Sequence, residues 1–281
     1  MKKIGILGAG TMGTGIAQTF GVKGFDVVVR DLSEKNLQKA RKSIEKSLGK
    51  LIAKEKMEEV ELEETMNRID FTIEVEKIKD CDMVIEAVTE NMAVKKKIFQ
   101  ELDEVCKEDT ILATNTSSLS ITEIATATSR PDKVLGMHFF NPVPMMKLVE
   151  IIKGITTDAK VKDQVVELTV NIGKTPVEVE EAPGFVVNRI LVPMINEAIG
   201  VLGDGVAKAE DIDQAMKLGA NHPIGPLALG DLIGLDVTLA IMEVLYEEFA
   251  DSKYRPHPLL RKMVRAQKLG RKTGEGFYSY A

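Results

Sequence analysis

The chain has 281 residues, 44% hydrophobic and 28% charged, with a formal net charge of −6. That length accommodates two domains with buried cores, and the composition is ordinary for a soluble globular protein. The acidic balance argues against a nucleic-acid binder, and no run approaches ~18 consecutive apolar residues, so no membrane span is expected.

In chain order, Lys3–Leu7 reads as a strand, Thr11–Lys23 as a helix and Asp26–Arg30 as a strand. Ser33 is placed to cap a long helix running to about Lys54, followed by a second helical piece over Met57–Asn67. Strands are predicted at Ile69–Ile73 and Met83–Ala87, a helix at Ala93–Cys106, and strands at Thr110–Thr114, Val134–Phe139, Lys147–Ile152 and Thr175–Val179. Beyond Glu181-Ala182-Pro183-Gly184 the pattern is helical: Phe185–Leu202 with Pro193 inside it, where a kink is expected, then Ala209–Leu218, Leu229–Phe249 and Pro258–Lys268. Alternating strands and helices predict an α/β fold with a mostly parallel sheet, followed by an all-α domain. The boundary is set at residue 183, giving 1–183, with a helical insertion near 33–67, and 184–281.

The opening Met1-Lys2-Lys3 and its apolar run superficially suggest a signal peptide. Glycines and polar residues follow without a cleavage site, so export is not expected. Cys81 and Cys106 show no metal-ligand spacing, so no metal is expected, and reduced thiols in a cytoplasmic protein are the simplest reading. Lysines and one arginine crowd residues 35–56, glutamates crowd 58–64, and the tail from Arg261 to Lys272 is basic again. On charge pattern alone this is a solvated, salt-bridged surface, although local basic clusters also suit an anionic ligand.

Gly8-Ala9-Gly10-Thr11-Met12-Gly13 fits G-x-G-x-x-G between a predicted strand and a predicted helix. Gly8 permits the tight turn, Gly10 lets a pyrophosphate approach the backbone at the helix N-terminus, and Gly13 lets helix and strand pack closely. Asp31, ending the second strand, is placed to bind the ribose hydroxyls of a dinucleotide. The first domain is therefore read as Rossmann-type. Asp31 favours NAD over NADP, because a 2′-phosphate would meet a carboxylate; Arg30 keeps NADP open, since a guanidinium there could accommodate that phosphate.

The stretch Gly136–Glu150, GMHFFNPVPMMKLVE, carries the chemistry. His138 ends one apolar run and Glu150 sits in the next. A histidine with a carboxylate to orient it is the minimum equipment for proton transfer near neutral pH. The chain has three histidines, and His222 and His257, each beside proline, read as loop residues.

Together, GAGTMGTGIAQ, ATNTSSLSIT, GMHFFNPVPMMKLVE, EAPGFVVNRIL, DIDQAMKLGANHPIGPL and GRKTGEGFY resemble the short-chain L-3-hydroxyacyl-CoA dehydrogenases, the bacterial 3-hydroxybutyryl-CoA dehydrogenases most of all. The resemblance spans essentially the whole chain. It implies that His138 is the general base, Glu150 its orienting partner, and Ser117 and Asn188 donors to the substrate oxygens, in a site between the two domains. It places Glu90, Lys95, Asn115, Ser117, Asn141 and Lys272 around the nicotinamide ribose and ring, with Gly8, Gly10, Thr11, Met12, Gly13 and Asp31 on the rest of NAD. Ser47, Lys54 and Ser117 would bind the acyl-CoA; Ser47 and Lys54, two helical turns apart, would share one face. The implied activity is interconversion of (S)-3-hydroxyacyl-CoA and 3-oxoacyl-CoA by a chain acting alone. A homodimer through the apolar second domain agrees with both the resemblance and composition.

Each residue has a plainer reading. Glu150 could salt-bridge Lys147, Ser117 or a neighbour could cap the next helix, Asn188 could satisfy backbone groups, and Ser47 and Lys54 could be ordinary surface residues. Two rival functions remain. A β-hydroxyacid dehydrogenase acting on a non-CoA substrate shares the plan but commonly relies on a lysine base. A non-catalytic dinucleotide-binding protein of this fold is disfavoured by the intact His138, Glu150, Ser117 and Asn188.

Overall fold

The computed structural model describes residues 1–280 and divides into two compact units, Met1–Glu181 and Ala182–Ala281, of which residue 281 lies outside the described set. The first unit holds strands β1 (Lys3–Leu7), β2 (Asp26–Arg30), β3 (Ile69–Thr72), β4 (Met83–Glu86), β5 (Ile111–Thr114), β6 (Val134–Phe139), β7 (Leu148–Lys153) and β8 (Thr175–Glu180). They form one sheet in the order β3-β2-β1-β4-β5-β6-β7-β8. The first six lie parallel in the order of a doubly wound dinucleotide-binding sheet, which reverses direction of growth between β1 and β4. Ligands of such sheets lie beyond the carboxyl ends of the strands at that point. β7 runs antiparallel to β6, and β8 runs parallel to β7.

Strands β1 and β4 are nearly all buried because helices cover both faces, which explains the apolar runs Ile4–Leu7 and Met83–Ile85 within them. Helix α1 (Thr11–Val22) follows β1 and is buried from Gly13 to Gly21. Helix α2 (Glu34–Ile52) is amphipathic: Leu37, Ala40, Ile44 and Leu48 face the core, and the Ser33 hydroxyl accepts from the Asn36 amide at its start. Helix α3 (Glu59–Asn67) and helix α4 (Met92–Val105), the latter capped by Asn91, complete the cover expected from the sequence.

Two helices were not anticipated. The short α5 (Ile121–Ala125) is capped by Ser120, and α6 (Ala159–Asn171) carries the crossover between β7 and β8. Valines and threonines in α6 mask its period, but Asp158 caps it by accepting from the Lys160 and Val161 amides, and Val165, Leu168 and Thr169 are buried.

The second unit is helical: α7 (Val187–Gly203), α8 (Ala209–Gly219), α9 (Pro226–Ile233), α10 (Leu235–Phe249) and α11 (Pro258–Arg265). The sequence had suggested one helix over Leu229–Phe249. Gly234, at φ 105°, breaks it and separates α9 from α10. Val192, Ile195, Ile199, Leu227, Met242 and Leu245 belong to this unit's core. The buried Asp231 carboxylate accepts from the Phe277 and Tyr278 amides and the Tyr280 hydroxyl, clasping the C-terminal segment onto α9. No helix among the described residues is long and apolar enough to cross a membrane, and no group of three or more His, Cys, Asp or Glu residues there could hold a metal ion.

Candidate active site

The glycine loop sits at the carboxyl end of β1. Gly8 has φ 98°, and a Cβ there would lie 2.6 Å from the Ala87 carbonyl oxygen. A Cβ on Gly13 would lie 1.9 Å from the Gly8 carbonyl oxygen, so no side chain fits without moving α1. Gly10 differs: its Cβ would meet nothing within 4 Å. The protein itself does not require glycine there, whereas an anion resting on the helix N-terminus does. These three positions therefore fit a dinucleotide pyrophosphate.

Asp31 completes the loop. One carboxylate oxygen accepts from the Ala9 amide at 2.8 Å, and the other from the Ser33 amide at 2.9 Å and the Asn36 side chain at 3.2 Å. It thus joins the glycine loop to the start of α2. Arg30 turns elsewhere. Its guanidinium lies 3.7 Å from Glu101 on α4 and is largely buried.

A cleft of about 490 Å³ opens beside this loop, lined by Gly10 of the loop and Thr11 of α1, Ser43 and Ser47 of α2, and Asn141 and Met145 of the β6–β7 connection. Met12 instead packs against the hydrophobic core. Lys54 does not share a helical face with Ser47. Helix α2 ends at Ile52, and Lys54 lies in the turn beyond, before Glu55 at φ 56°. The two-turn spacing was right for an α-helix, but the helix stops short of Lys54.

His138 and Glu150 come together through the sheet. They are direct partners in the antiparallel β6–β7 register, so their side chains share one face. The His138 Nδ1 lies 2.8 Å from a Glu150 carboxylate oxygen. His138 is 6% exposed and Glu150 0%. The carboxylate thus holds the ring through Nδ1 and fixes its orientation. Phe140 packs on the imidazole at 4.4 Å between ring centroids.

A second charged cluster stands at the ends of β4 and β5. The Glu86 carboxylate, 0% exposed, accepts from the Lys95 ammonium at 2.7 and 2.8 Å, the Thr114 hydroxyl at 2.7 Å and the Val88 amide at 2.7 Å. Lys95 is 1% exposed and also lies 3.5 Å from Glu90. Glu90 in turn accepts from the Ser117 amide at 2.9 Å, from the Ser117 and Ser118 hydroxyls at 3.3 Å, and from the Thr116 hydroxyl. Burial acts to raise the Glu90 pKa; the Lys95 charge and the bonds from Thr116 and Ser117 outweigh it and hold the group below the usual carboxylate range. Lys95 is thus enclosed behind Glu90, holding the carboxylate that holds Ser117.

Glu86 was missed by the sequence reading. Its signal was a lone carboxylate ending an apolar strand, with a lysine nine residues later. Asn115 directly follows β5 and its side-chain oxygen accepts from the Phe139 amide at 2.9 Å, fixing that loop to the end of β6. In the second unit, Asn188 lies in the first turn of α7, and Lys272 forms an ion pair with Asp236 of α10.

A glycine loop at a sheet switch point, with an acidic residue directly after β2, defines a Rossmann-type dinucleotide-binding protein, and a buried imidazole–carboxylate pair stands on the same sheet. Comparison with known proteins makes the class specific. Residues 3–182 match the 3-hydroxyacyl-CoA dehydrogenase NAD-binding domain and residues 184–280 the C-terminal domain of the same enzymes. The chain belongs to the 3-hydroxyacyl-CoA dehydrogenase family. It is 60% identical over 278 residues to a 3-hydroxybutyryl-CoA dehydrogenase of Clostridioides difficile, covering 99% of both chains. It is 45% identical to the human mitochondrial hydroxyacyl-coenzyme A dehydrogenase, covering 100% of this chain and 91% of that one. Among solved structures, (S)-3-hydroxybutyryl-CoA dehydrogenase from Ralstonia eutropha superposes with a TM-score of 0.97 at 53% identity, covering 100% of this chain and 99% of that chain.

Proposed function

We propose that the chain interconverts (S)-3-hydroxybutyryl-CoA and acetoacetyl-CoA using NAD. The buried His138–Glu150 pair carries this reading. His138 Nε2 takes the proton of the substrate 3-hydroxyl in the oxidising direction and returns it to the 3-oxygen in the reducing direction. Glu150 holds the tautomer that leaves Nε2 basic and stabilises the imidazolium once formed. NAD, when bound, supplies the hydride acceptor. Ser117 and, by family resemblance, Asn188 hydrogen-bond substrate oxygens; Glu90 and Lys95 set the loop that carries Ser117. Gly8, Gly10, Gly13 and Asp31 hold the adenosine and pyrophosphate portions, and Asn115, Asn141 and Lys272 belong to the nicotinamide side. The α2 side of the cleft, at Ser43 and Ser47, suits part of an extended CoA ligand, while the Gly10 and Thr11 side takes the dinucleotide; Lys54, in the turn beyond α2, supplies a cation for the CoA phosphates.

The placement of Arg30 favours NAD over NADP. Its guanidinium is engaged with Glu101, which leaves the Asp31 carboxylate to meet a 2′-phosphate. Exposed Ile190, Val206, Leu218 and Leu232 in the second unit support a homodimer through that unit. Both cysteines are buried free thiols, pushed by burial to about 12 for Cys81 and about 11 for Cys106, which suits a cytoplasmic enzyme without redox chemistry of its own.

NADH absorbance should fall when acetoacetyl-CoA is added and stay level with free acetoacetate; equal rates on both would overturn the CoA assignment. Asp31→Ala should weaken NADH binding by about 10–100-fold, the loss expected for hydrogen bonds to a charged group, and shift preference toward NADPH. Titration of both cofactors into the variant checks this, and unchanged selectivity would mean the ribose is read elsewhere.

A further inference from the structure

Lys174 stands just before β8 and is 8% exposed. Its ammonium donates to the carbonyl oxygens of Val143 and, at 2.7 Å, Met146. Among the described residues it has no carboxylate partner. Burial, reinforced by the Lys23 charge, lowers its pKa. A strongly hydrated cation enclosed without a counter-ion is costly. The cost is offset only by what the ammonium does at its two acceptors.

Those acceptors belong to the β6–β7 connection, residues 140–147. Inside it, the amides of Met145 and Met146 both donate to the Pro142 carbonyl at 3.0 Å, folding the chain into a compact turn. Such a turn leaves the carbonyls of Val143 and Met146 aimed at a common point, where their dipoles repel unless a donor stands between them. Lys174 is that donor. Val143, 2% exposed, seats against α1 where Gly15 leaves room; a Cβ on Gly15 would come within 2.8 Å of the Val143 Cβ. Asn141 and Met145 of the same turn face the cleft shared with Gly10 and Thr11.

We infer that Lys174 is a positioning residue for the cofactor side of the site. It draws the turn's carbonyls inward, presses Val143 onto α1, and so sets the wall that Asn141 and Met145 present to a bound dinucleotide. The His138–Glu150 pair is held independently by the β6–β7 ladder, so the effect falls on cofactor affinity rather than on proton transfer. This inference rests on the proposed use of NAD.

Lys174→Met keeps the apolar stem and removes the ammonium, while Lys174→Arg restores a cationic donor. In fluorescence titrations, Lys174→Met should bind NADH about tenfold more weakly, which is about 1.4 kcal/mol, and Lys174→Arg should recover to within about threefold of the parent. The KM for acetoacetyl-CoA should change by less than about twofold and kcat by less than about threefold. Hydrogen exchange should accelerate at the Met145 and Met146 amides and remain unchanged in β6 and β7. Parental NADH affinity and parental exchange in Lys174→Met would overturn the inference. So would uniformly faster exchange across the sheet, or equal losses of affinity for both ligands. Where the Met variant does not fold, Lys174→Gln replaces it; failure of both to fold would make Lys174 a folding residue and overturn the positioning role. Absence of NADH binding by the parent chain would instead refute the NAD reading, and the exchange measurement would still decide whether Lys174 sets the turn.

Discussion

His138→Ala should lower kcat by about 10²–10⁴-fold, the loss expected when a general base is removed, which is about 3–5 kcal/mol of barrier. NADH affinity should stay close to the parent value, because the imidazole is not part of the glycine loop or its Asp31 tie. The two quantities separate the roles. Steady-state turnover of acetoacetyl-CoA reads the first, and direct NADH titration reads the second. Near-normal turnover in a folded variant would remove His138 from proton transfer; a large loss of NADH affinity would show that the substitution disturbs the sheet as well.

Glu86→Ala should destabilise the first unit by about 3–5 kcal/mol, the cost of leaving a buried charge without its partner. The Lys95 ammonium would keep only its longer approach to Glu90, at 3.5 Å, and the Thr114 hydroxyl and Val88 amide would lose their acceptor. Lys95→Met should be costly for the mirror reason, since the carboxylate would then be the uncompensated charge. The double variant Glu86→Ala/Lys95→Met should lose less than the sum of the two, because neither charge remains. Denaturant unfolding of all four proteins closes the cycle. Additive losses would show that the two residues act separately, despite their contact distances of 2.7 and 2.8 Å. A second consequence follows for Ser117, whose amide and hydroxyl bonds end on Glu90. Where the variants fold, the acetoacetyl-CoA KM should rise with the freedom gained by that loop.

The parallel sheet and the glycine loop could be read from the chain because their signals are local. The apolar runs of β1 and β4 match strands buried on both faces, and Gly8 to Gly13 stands between a strand and a helix as expected. Ser33 capped α2 for the same reason: a capping side chain acts within three residues of itself. The end of α2 was less visible. Lysines favour helix on either side of Ile52, and nothing in that stretch marks the left-handed Glu55. Helix α6 was hidden by its β-branched residues, and the break at Gly234 by the apolar sequence around it. At the site, the pairing of His138 with Glu150 was suspected from residue types, but the strand register that brings them together is a long-range fact. The Glu86–Lys95–Glu90 series and the Lys174 clamp are tertiary in the same sense. Each joins elements whose proximity depends on the whole sheet being assembled.

The antiparallel ladder between β6 and β7 gives the imidazole and its carboxylate a shared support in the main chain. Facing positions on two strands inherit their separation from peptide hydrogen bonds, so the pair needs no dedicated scaffold of side chains to keep it aligned. A slip by one residue would turn Glu150 to the opposite side of the sheet and disconnect the two groups altogether. The dyad is therefore either whole or severed, with no half-aligned state of the ladder in between.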